Sequence, residues 1–581
     1  VFSVDKHSAK ARKISIFLIT AYALLGINLA YMQIVKADYY RSLSEKNRVR
    51  VIYLEAPRGK ILDRAGRELA TSRLSFNLSV APREAKARLS ESCRVIGGIL
   101  GEDPASLEKR FKKRKAGSFN SVILAEDISA VNAMAIEERL DLLPGFLIET
   151  RPQRVYPYGP SAAHLTGYLG PMTEDEIGDL EEYGYRRADW LGRDGIEKSY
   201  EDDLRGRSGG LQIEVNNRGR LVKPLGVKEP EEGRDVTLTV DAQLQEHVQG
   251  LLGAQKGSVI VMELGQGGIL SINSSPSFDV NLFSSAPGRR EVGRTLRDPA
   301  APMMNRGIRG HYPPGSIFKI VTSMAGLEKR RINAGTQFNC PGFSMIGGLR
   351  FGCWKDGGHG AQHLTEALMN SCDVYFYNAG IRAGFDAIRE KALQFGFGQT
   401  TGIDLPGEKG GFVPSREWKK KTLRHAWYDG DTANLSIGQG FLQVSPAEAL
   451  VMIAAVATSG QILRPHVMSK INGAAVSEKY ARPIGLDVKA LALVKKGLYD
   501  VVNSGKGTGR LSRAPGVTVA GKTGTAQSGQ PRTHAWFVGY APAENPKVAL
   551  VVFLENGGRG GVEAASVASK VFSWLQEAGY A

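Results

Sequence analysis

Residues Ile14 to Val35 read ISIFLITAYALLGINLAYMQIV, 22 residues without a single charge. About 20 apolar residues at 1.5 Å rise each cross the hydrocarbon core of a bilayer. Lys6, Lys10, Arg12 and Lys13 precede the run, and such a cluster keeps the segment before it in the cytoplasm. Tyr22, Tyr31, Tyr39 and Tyr40 partly suit an interfacial belt. The rival readings are a cleaved signal peptide and a buried core helix. The run exceeds the usual apolar stretch of a signal peptide, and no small-x-small cleavage site follows it. We therefore expect a cytoplasmic tail over residues 1–13 and one membrane span over 14–36. No second run approaches this length, so the rest of the chain is expected on the far side. In a bacterium that means an inner-membrane, single-pass protein whose bulk lies in the periplasm.

The 581 residues leave room for about four ordinary domains or two large ones. With 42% hydrophobic and 23% charged residues, bulk disorder and a small disulfide scaffold are both excluded. The 75 basic and 59 acidic residues give +16, which by itself points to nucleic acid or an anionic surface. No platform of interleaved basic and aromatic residues supports nucleic acid, and the extracytoplasmic placement argues against it. The excess is read as facing lipid headgroups or a carboxylate-bearing cell wall.

The texture changes near Asp235. Residues 37–235 are charged and loop-rich, with short alternating runs at Ser75–Val80 and Leu211–Val215, and are expected to form an irregular, extended region without one compact core. Residues 236–581 look globular. GSVIVMELGQGGILSINSSP reads as a β-hairpin. Helical patterns follow, then three late strands (GVTVAGKTGT, HAWFVGYAP, KVALVVFLE) and a closing helix. The expected fold class is α+β: a five-stranded antiparallel sheet in which the chain ends pair, with helices on both faces.

Three short motifs lie in this second region. Ser316-Ile317-Phe318-Lys319 follows Pro313-Pro314-Gly315 and opens an apolar helical pattern. Residues at i and i+3 share a helix face, so Lys319 reaches toward the Ser316 hydroxyl. A serine needs an adjacent base to become a nucleophile, and a buried lysine, its charge disfavoured by desolvation, serves as one. The pattern is weak alone: Ser106 and Lys109 repeat it inside a charged run, where a solvated helix face explains it. Ser371-Cys372-Asp373 comes second. Its hydroxyl suits a proton relay and its carboxylate suits fixing a lysine, though Ser-x-Asp is commonly just a helix cap. Lys522-Thr523-Gly524-Thr525 falls late on a strand. Its lysine, two hydroxyls and bare glycine suit an extended peptide ending in a carboxylate.

Together, in order and spacing, the motifs match the signature of serine penicillin-recognising enzymes. The resemblance extends further. Arg58-Gly59-Lys60-Ile61-Leu62-Asp63-Arg64-Ala65-Gly66, RVYPYGPSAAHLTGY (Arg154–Tyr168) and Gly195-Ile196-Glu197-Lys198-Ser199-Tyr200 resemble motifs of the pedestal of class B penicillin-binding proteins. Ser275-Pro276-Ser277-Phe278-Asp279-Val280-Asn281 and Asn434-Leu435-Ser436-Ile437-Gly438-Gln439-Gly440 resemble landmarks of their transpeptidase domain. Ser-Cys-Asp followed by VYFY is similar to the elongation-type penicillin-binding protein 2 branch. The likeness implies a pedestal (dimerisation-type) domain over 37–235 and a transpeptidase domain over 236–581. It also implies a peptidoglycan D,D-transpeptidase: Ser316 attacks the penultimate D-Ala carbonyl of a stem peptide, D-Ala leaves, and a neighbouring amine resolves the acyl-enzyme. Lys319 is then the base, while Ser371 and Lys522 shuttle protons beside Asp373. Thr523 and Thr525, with Gly524 between them, hold the terminal carboxylate. The N–H groups of Ser316 and Thr525 form the oxyanion hole. β-Lactams acylate Ser316. Implied partners are a RodA-type glycosyltransferase, met through the span and residues near Arg41 to Glu55, and other elongation-complex proteins. The competing readings are a D,D-carboxypeptidase or β-lactamase, and a β-lactam sensor or activating scaffold with little turnover.

No cofactor is expected for catalysis. Cys340, Cys353, His359 and Cys372 form C-x12-C-x5-H-x12-C, which matches no common zinc finger. An oxidising periplasm favours a Cys340–Cys353 disulfide. A structural zinc would instead use all four groups, and free thiols are the third possibility. Cys93 reads as a lone core residue.

Overall fold

The computed structural model describes the whole chain except residues 1–3, 87, 116–120, 187–188, 216–220, 285–288 and 477–480. The start of the expected tail, the side chain of Lys6, and those of residues 43–48, 50 and 52 in the expected partner-binding stretch lie outside the described residues. Helix α1 (Val4–Ala30) runs into a π-helical turn, Tyr31–Val35. Within Lys10–Val35 an 18-residue window has a mean hydropathy of 1.9 and is not buried against protein, and Phe17 is 71% exposed. An apolar helix without a protein partner has the character of a bilayer span.

Contacts divide the chain into two units, 1–57 with 206–232 and 58–205 with 233–581. The first holds α1 and a three-stranded antiparallel sheet in the order 49–54, 209–215, 221–228. Most of the residues expected as pedestal therefore group with the larger unit. There, Glu68–Val80 pairs with both Val122–Ile128 and Phe146–Val155. Leu78, Val80, Cys93, Ile96, Leu107, Phe111, Leu124 and Ile136 close a buried core beneath those strands. This corrects the expectation of a coreless region: short alternating strands and two helices, Leu89–Leu100 and Pro104–Lys115, bury one apolar face each. Burial pushes the Cys93 thiol up to about 11. Ser106 and Lys109 lie exposed on the second of these helices, as a solvated face requires.

The half after residue 235 contains α2 (Ala242–Leu252), whose Asp241 cap accepts from the Gln243 and Leu244 N–H groups. Strands β1 (Gly257–Glu263) and β2 (Ile269–Ser275) form the hairpin. The middle supplies α3 (Lys319–Glu328), α4 (Leu364–Met369), α5 (Asp373–Ala383), α6 (Asp429–Ser436), α7 (Pro446–Ala457) and α8 (Val488–Asn503). Strands β3 (Ala520–Ala526), β4 (His534–Ala541) and β5 (Val548–Leu554) lead to α9 (Ala565–Glu577). The sheet order is β2-β1-β5-β4-β3, antiparallel throughout. Strands β4 and β5 are buried along their whole length, so their sequences read as continuous apolar runs. One face packs on α7, in which every residue is buried, and the other on α2 and α9. Strand β3 begins at Ala520, three residues after the Val517 alternation suggests, because Val517 pairs with Ala514 in an isolated bridge.

Candidate active site

Ser316 sits in a 3-10 turn, Gly315–Phe318, that leads into α3. Gly315 has φ +56, and a Cβ there would lie 2.8 Å from the Thr525 carbonyl oxygen. Only glycine brings the turn this close to β3. The Gly315 N–H donates to the Gly438 carbonyl at 2.9 Å, and a Cβ on Gly438 would fall 2.1 Å from the Gly315 oxygen. The Asn434–Gly440 landmark is thus the seat of the nucleophile turn. Gly524 plays a related part. A Cβ there would meet the Pro314 oxygen at 2.9 Å and Ile317 Cγ2 at 3.0 Å. Its bare face admits the chain's own turn, a different reason from the substrate approach expected of it.

Lys319 is fully buried. Its ammonium donates to Asp373 Oδ1 at 2.6 Å, to the Ser371 carbonyl at 2.8 Å and to Ser371 Oγ at 3.3 Å. Lys522, also fully buried, donates to Ser371 Oγ at 3.0 Å and to the Thr523 carbonyl at 2.9 Å. Burial, then the nearby charge of Lys319, holds the Lys522 amine well below the usual lysine range, against the opposing pull of Asp373. The three motifs therefore meet at one hydroxyl, Ser371 Oγ. Ser371 adopts φ +53, a left-handed conformation costly for a residue with a side chain. The turn around it is fixed by Cys372 N–H to the Ala367 carbonyl at 2.9 Å. Trp354 braces both ends: its backbone N–H donates to Asp373 Oδ2 and its indole N–H to the Asn370 and Ser371 carbonyls, all at 3.1 Å.

On β3, Thr525 is exposed while Thr523 is 5% exposed. Thr525 Oγ1 accepts from the Gly560 N–H at 3.1 Å, which leaves its own proton to donate. The Thr523 hydroxyl donates to Thr508 Oγ1 at 3.1 Å. Gly560, Thr508 and Trp354 were not singled out from the sequence, since each acts through a contact distant in the chain.

All four cysteines are free, so the Cys340–Cys353 disulfide is not realised. Instead Cys340, Cys353, His359 and Cys372 place their ligand atoms within 4.8 Å of one another. His359 Nδ1 lies 3.7 Å from Cys340 Sγ and 3.5 Å from Cys353 Sγ. Zinc bonds of about 2.3 Å to sulfur and 2.0 Å to nitrogen set tetrahedral ligand atoms roughly 3.5–3.8 Å apart, so this donor set fits zinc. Hydrogen bonds from Cys372 and His359 hold Cys353 toward the thiolate, and the same contact pushes Cys372 up.

A serine at a helix start, two buried lysines on a relay hydroxyl and a Lys-Thr-Gly-Thr edge strand define a penicillin-recognising serine acyltransferase. The comparisons agree. The penicillin binding protein transpeptidase domain family matches residues 257–573, and the penicillin-binding protein dimerisation domain family matches 53–238. The chain belongs to the penicillin-binding protein transpeptidase family, in its penicillin-binding protein 2 branch. It is 33% identical to the peptidoglycan D,D-transpeptidase MrdA of Haemophilus influenzae, covering 97% of this chain and 90% of that one. The MrdA of Acinetobacter baumannii is 34% identical over 96% of this chain and 86% of that one. Among solved structures, penicillin-binding protein 2 of Helicobacter pylori in complex with MreC gives a TM-score of 0.81 at 29% identity, covering 92% of this chain and all of that one. The Pseudomonas aeruginosa penicillin-binding protein 2 bound to WCK 5153 gives 0.70 at 29%, covering 91% and 98%.

Proposed function

We propose that this chain is a peptidoglycan D,D-transpeptidase that cross-links stem peptides during cell elongation and is acylated by β-lactams. The observation that carries the reading is the buried group of two lysines and one carboxylate around Ser371 Oγ. Asp373 is one carboxylate for two lysines, and burial holds the Lys522 amine well below the usual lysine range. Ser371 Oγ bonds both amines, so a proton passes from Lys319 through that hydroxyl to Lys522 and frees Lys319 to act as base. Ser316 then gives its proton to Lys319 as its oxygen attacks the penultimate D-Ala carbonyl. The tetrahedral oxyanion faces the N–H groups of Ser316 and Thr525. Collapse breaks the peptide bond, the leaving D-Ala amine recovers a proton through Ser371, and the acyl group stays on Ser316 until an acceptor amine takes it. Thr523 and Thr525 meet the terminal carboxylate.

The remaining assignments belong to the same reading. Residues 1–13 form the tail, 14–36 the span, 37–235 the pedestal and 236–581 the transpeptidase domain. The span anchors the chain in the inner membrane with the catalytic domain in the periplasm. A RodA-type glycosyltransferase and other elongation proteins are the partners. Cys340, Cys353, His359 and Cys372 would hold a structural zinc; four protein ligands leave no open position for chemistry. Fluorescent penicillin tests the core of the proposal. Wild-type protein is expected to label and Ser316→Ala to stay dark. Full labelling of Ser316→Ala, or no labelling of wild type, would overturn it.

A further inference from the structure

Beside the third motif lies a hydroxyl chain that none of the family motifs includes. Thr508 stands in the turn after α8. Its hydroxyl donates to the Met369 carbonyl at 3.2 Å and accepts from Thr523 at 3.1 Å. Its backbone N–H donates to the same Met369 carbonyl at 3.2 Å. Met369 ends α4, two residues before Ser371. Thr508 therefore ties the strand of the third motif to the turn of the second.

The approach is built by glycines. A Cβ on Gly507 would fall 2.2 Å from the Val501 oxygen. A Cβ on Gly509 would lie 2.9 Å from Val501 Cγ1 and 3.5 Å from Thr523 Cγ2, and one on Gly561 would lie 2.5 Å from the Thr508 oxygen. Three bare positions around one threonine bring its hydroxyl against Thr523.

A hydroxyl has one proton to donate and two lone pairs to accept with. As the structure stands, the Thr523 proton is spent on Thr508. We infer that Thr508 is a positioning residue for carboxylate recognition, a switchable partner of the Thr523 hydroxyl. When a carboxylate arrives, Thr523 turns its proton to the anion and Thr508 turns its own proton to Thr523 Oγ1. The Met369 carbonyl is not orphaned, because the Thr508 N–H remains on it. The two hydroxyls then point in series at the anion, each polarising the next. No bond is made or broken; two O–H rotors turn.

This rests on the reading that Thr523 meets the substrate carboxylate, and the experiment separates the two. The full chain in detergent is given a thioester donor ending in a carboxylate, and its twin ending in a carboxamide. Thr508→Val is expected to raise KM for the carboxylate donor about tenfold with kcat within about twofold, and to shrink the preference over the carboxamide by the same factor. Thr508→Ser, which keeps the hydroxyl, is expected to restore both. Thr508→Ala serves if the valine does not fold. An unchanged preference in the folded variant lacking the hydroxyl, an equal loss on both donors, or failure of serine to rescue would overturn the inference. Thr523→Val separates the causes. If it too leaves the preference intact, the carboxylate reading itself falls; if it abolishes the preference while Thr508→Val does not, only the role of Thr508 falls.

Discussion

A lysine stripped of water holds its proton poorly, and Lys522 has no exposed surface at all. Its folded pKa lies well below the ordinary value near 10.4 that it regains on unfolding. Between those two values the unfolded chain binds more protons than the folded one, so stability rises with pH across the window and is penalised below it. Lys522→Met is therefore expected to flatten that slope and to melt higher than wild type at neutral pH. Because the proton relay is cut, penicillin acylation is expected to fall by about 10²-fold or more. Melting curves from pH 6 to 10, with labelling rates, check both; a steeper slope in the variant would contradict the assignment. Lys319, Ser371, Asp373 and Lys522 were legible because nucleophilic chemistry needs those residue types in recognisable short motifs. Thr508 was not. A threonine in a Gly-rich turn carries no spacing signal, and its partners Met369 and Thr523 lie 139 and 15 residues away.

Elements were legible where burial imposed a period. The apolar runs of β4 and β5, the hairpin and the amphipathic α8 all follow their patterns, and the sheet closes as the chain ends suggest. The pedestal strands were visible, but their shared core was not, because 13-residue Glu68–Val80 changes from half-exposed to buried along its length. The segment between α3 and α5 belongs to neither case. Ahead of α4 it holds two small antiparallel pairs, Phe338–Cys340 with Gly360–Gln362 and Phe343–Ile346 with Leu349–Gly352. Two-stranded pieces of that size are marginal by themselves. The four-ligand cluster sits at their base and includes Cys372, the residue between Ser371 and Asp373. Bound zinc would add its binding energy to the stability of this segment. Purified protein is expected to carry about one zinc per chain, and chelation to lower its melting temperature and slow penicillin acylation together. Cys353→Ser should reproduce both effects. Metal-free protein with unaltered stability and acylation would remove the zinc assignment.

At the scale of the whole molecule, the three pedestal landmarks prove to be one ionic network. Glu197, fully buried, accepts from Arg58 at 3.1 and 2.8 Å, from Arg154 at 2.7 Å and from the Tyr156 hydroxyl at 3.3 Å. Arg58 also grips Glu201, and Arg154 donates to the Gly59 carbonyl at 2.8 Å. The sequence displayed each landmark but not their meeting, since residues 58, 154 and 197 come from distant stretches. Nearby, the parallel pair 61–62 with 236–238 and the antiparallel pair 236–238 with 468–471 carry one sheet from pedestal residues into the catalytic half. Arg58 and Arg154 are structural rather than free surface charges, and Glu197 and Glu201 cancel them, so the +16 excess is carried by residues outside this network. Burial would push the Glu197 carboxyl up, but Arg154 and Arg58 outweigh it and hold it below the usual carboxylate range. Glu197→Gln leaves two guanidiniums without their anion, an expected loss of about 3–5 kcal/mol. The folded pKa is depressed, so the stabilisation is complete above the unfolded value of about 4.3 and disappears as pH falls through the folded one. The difference in unfolding free energy between wild type and Glu197→Gln should accordingly be full at pH 7 and shrink steadily below about pH 4. Penicillin labelling below the transition should stay within about twofold of wild type, because no atom of the network reaches Ser371. A stability difference that persists unchanged into acid would show that shape, rather than charge, accounts for the contribution of Glu197.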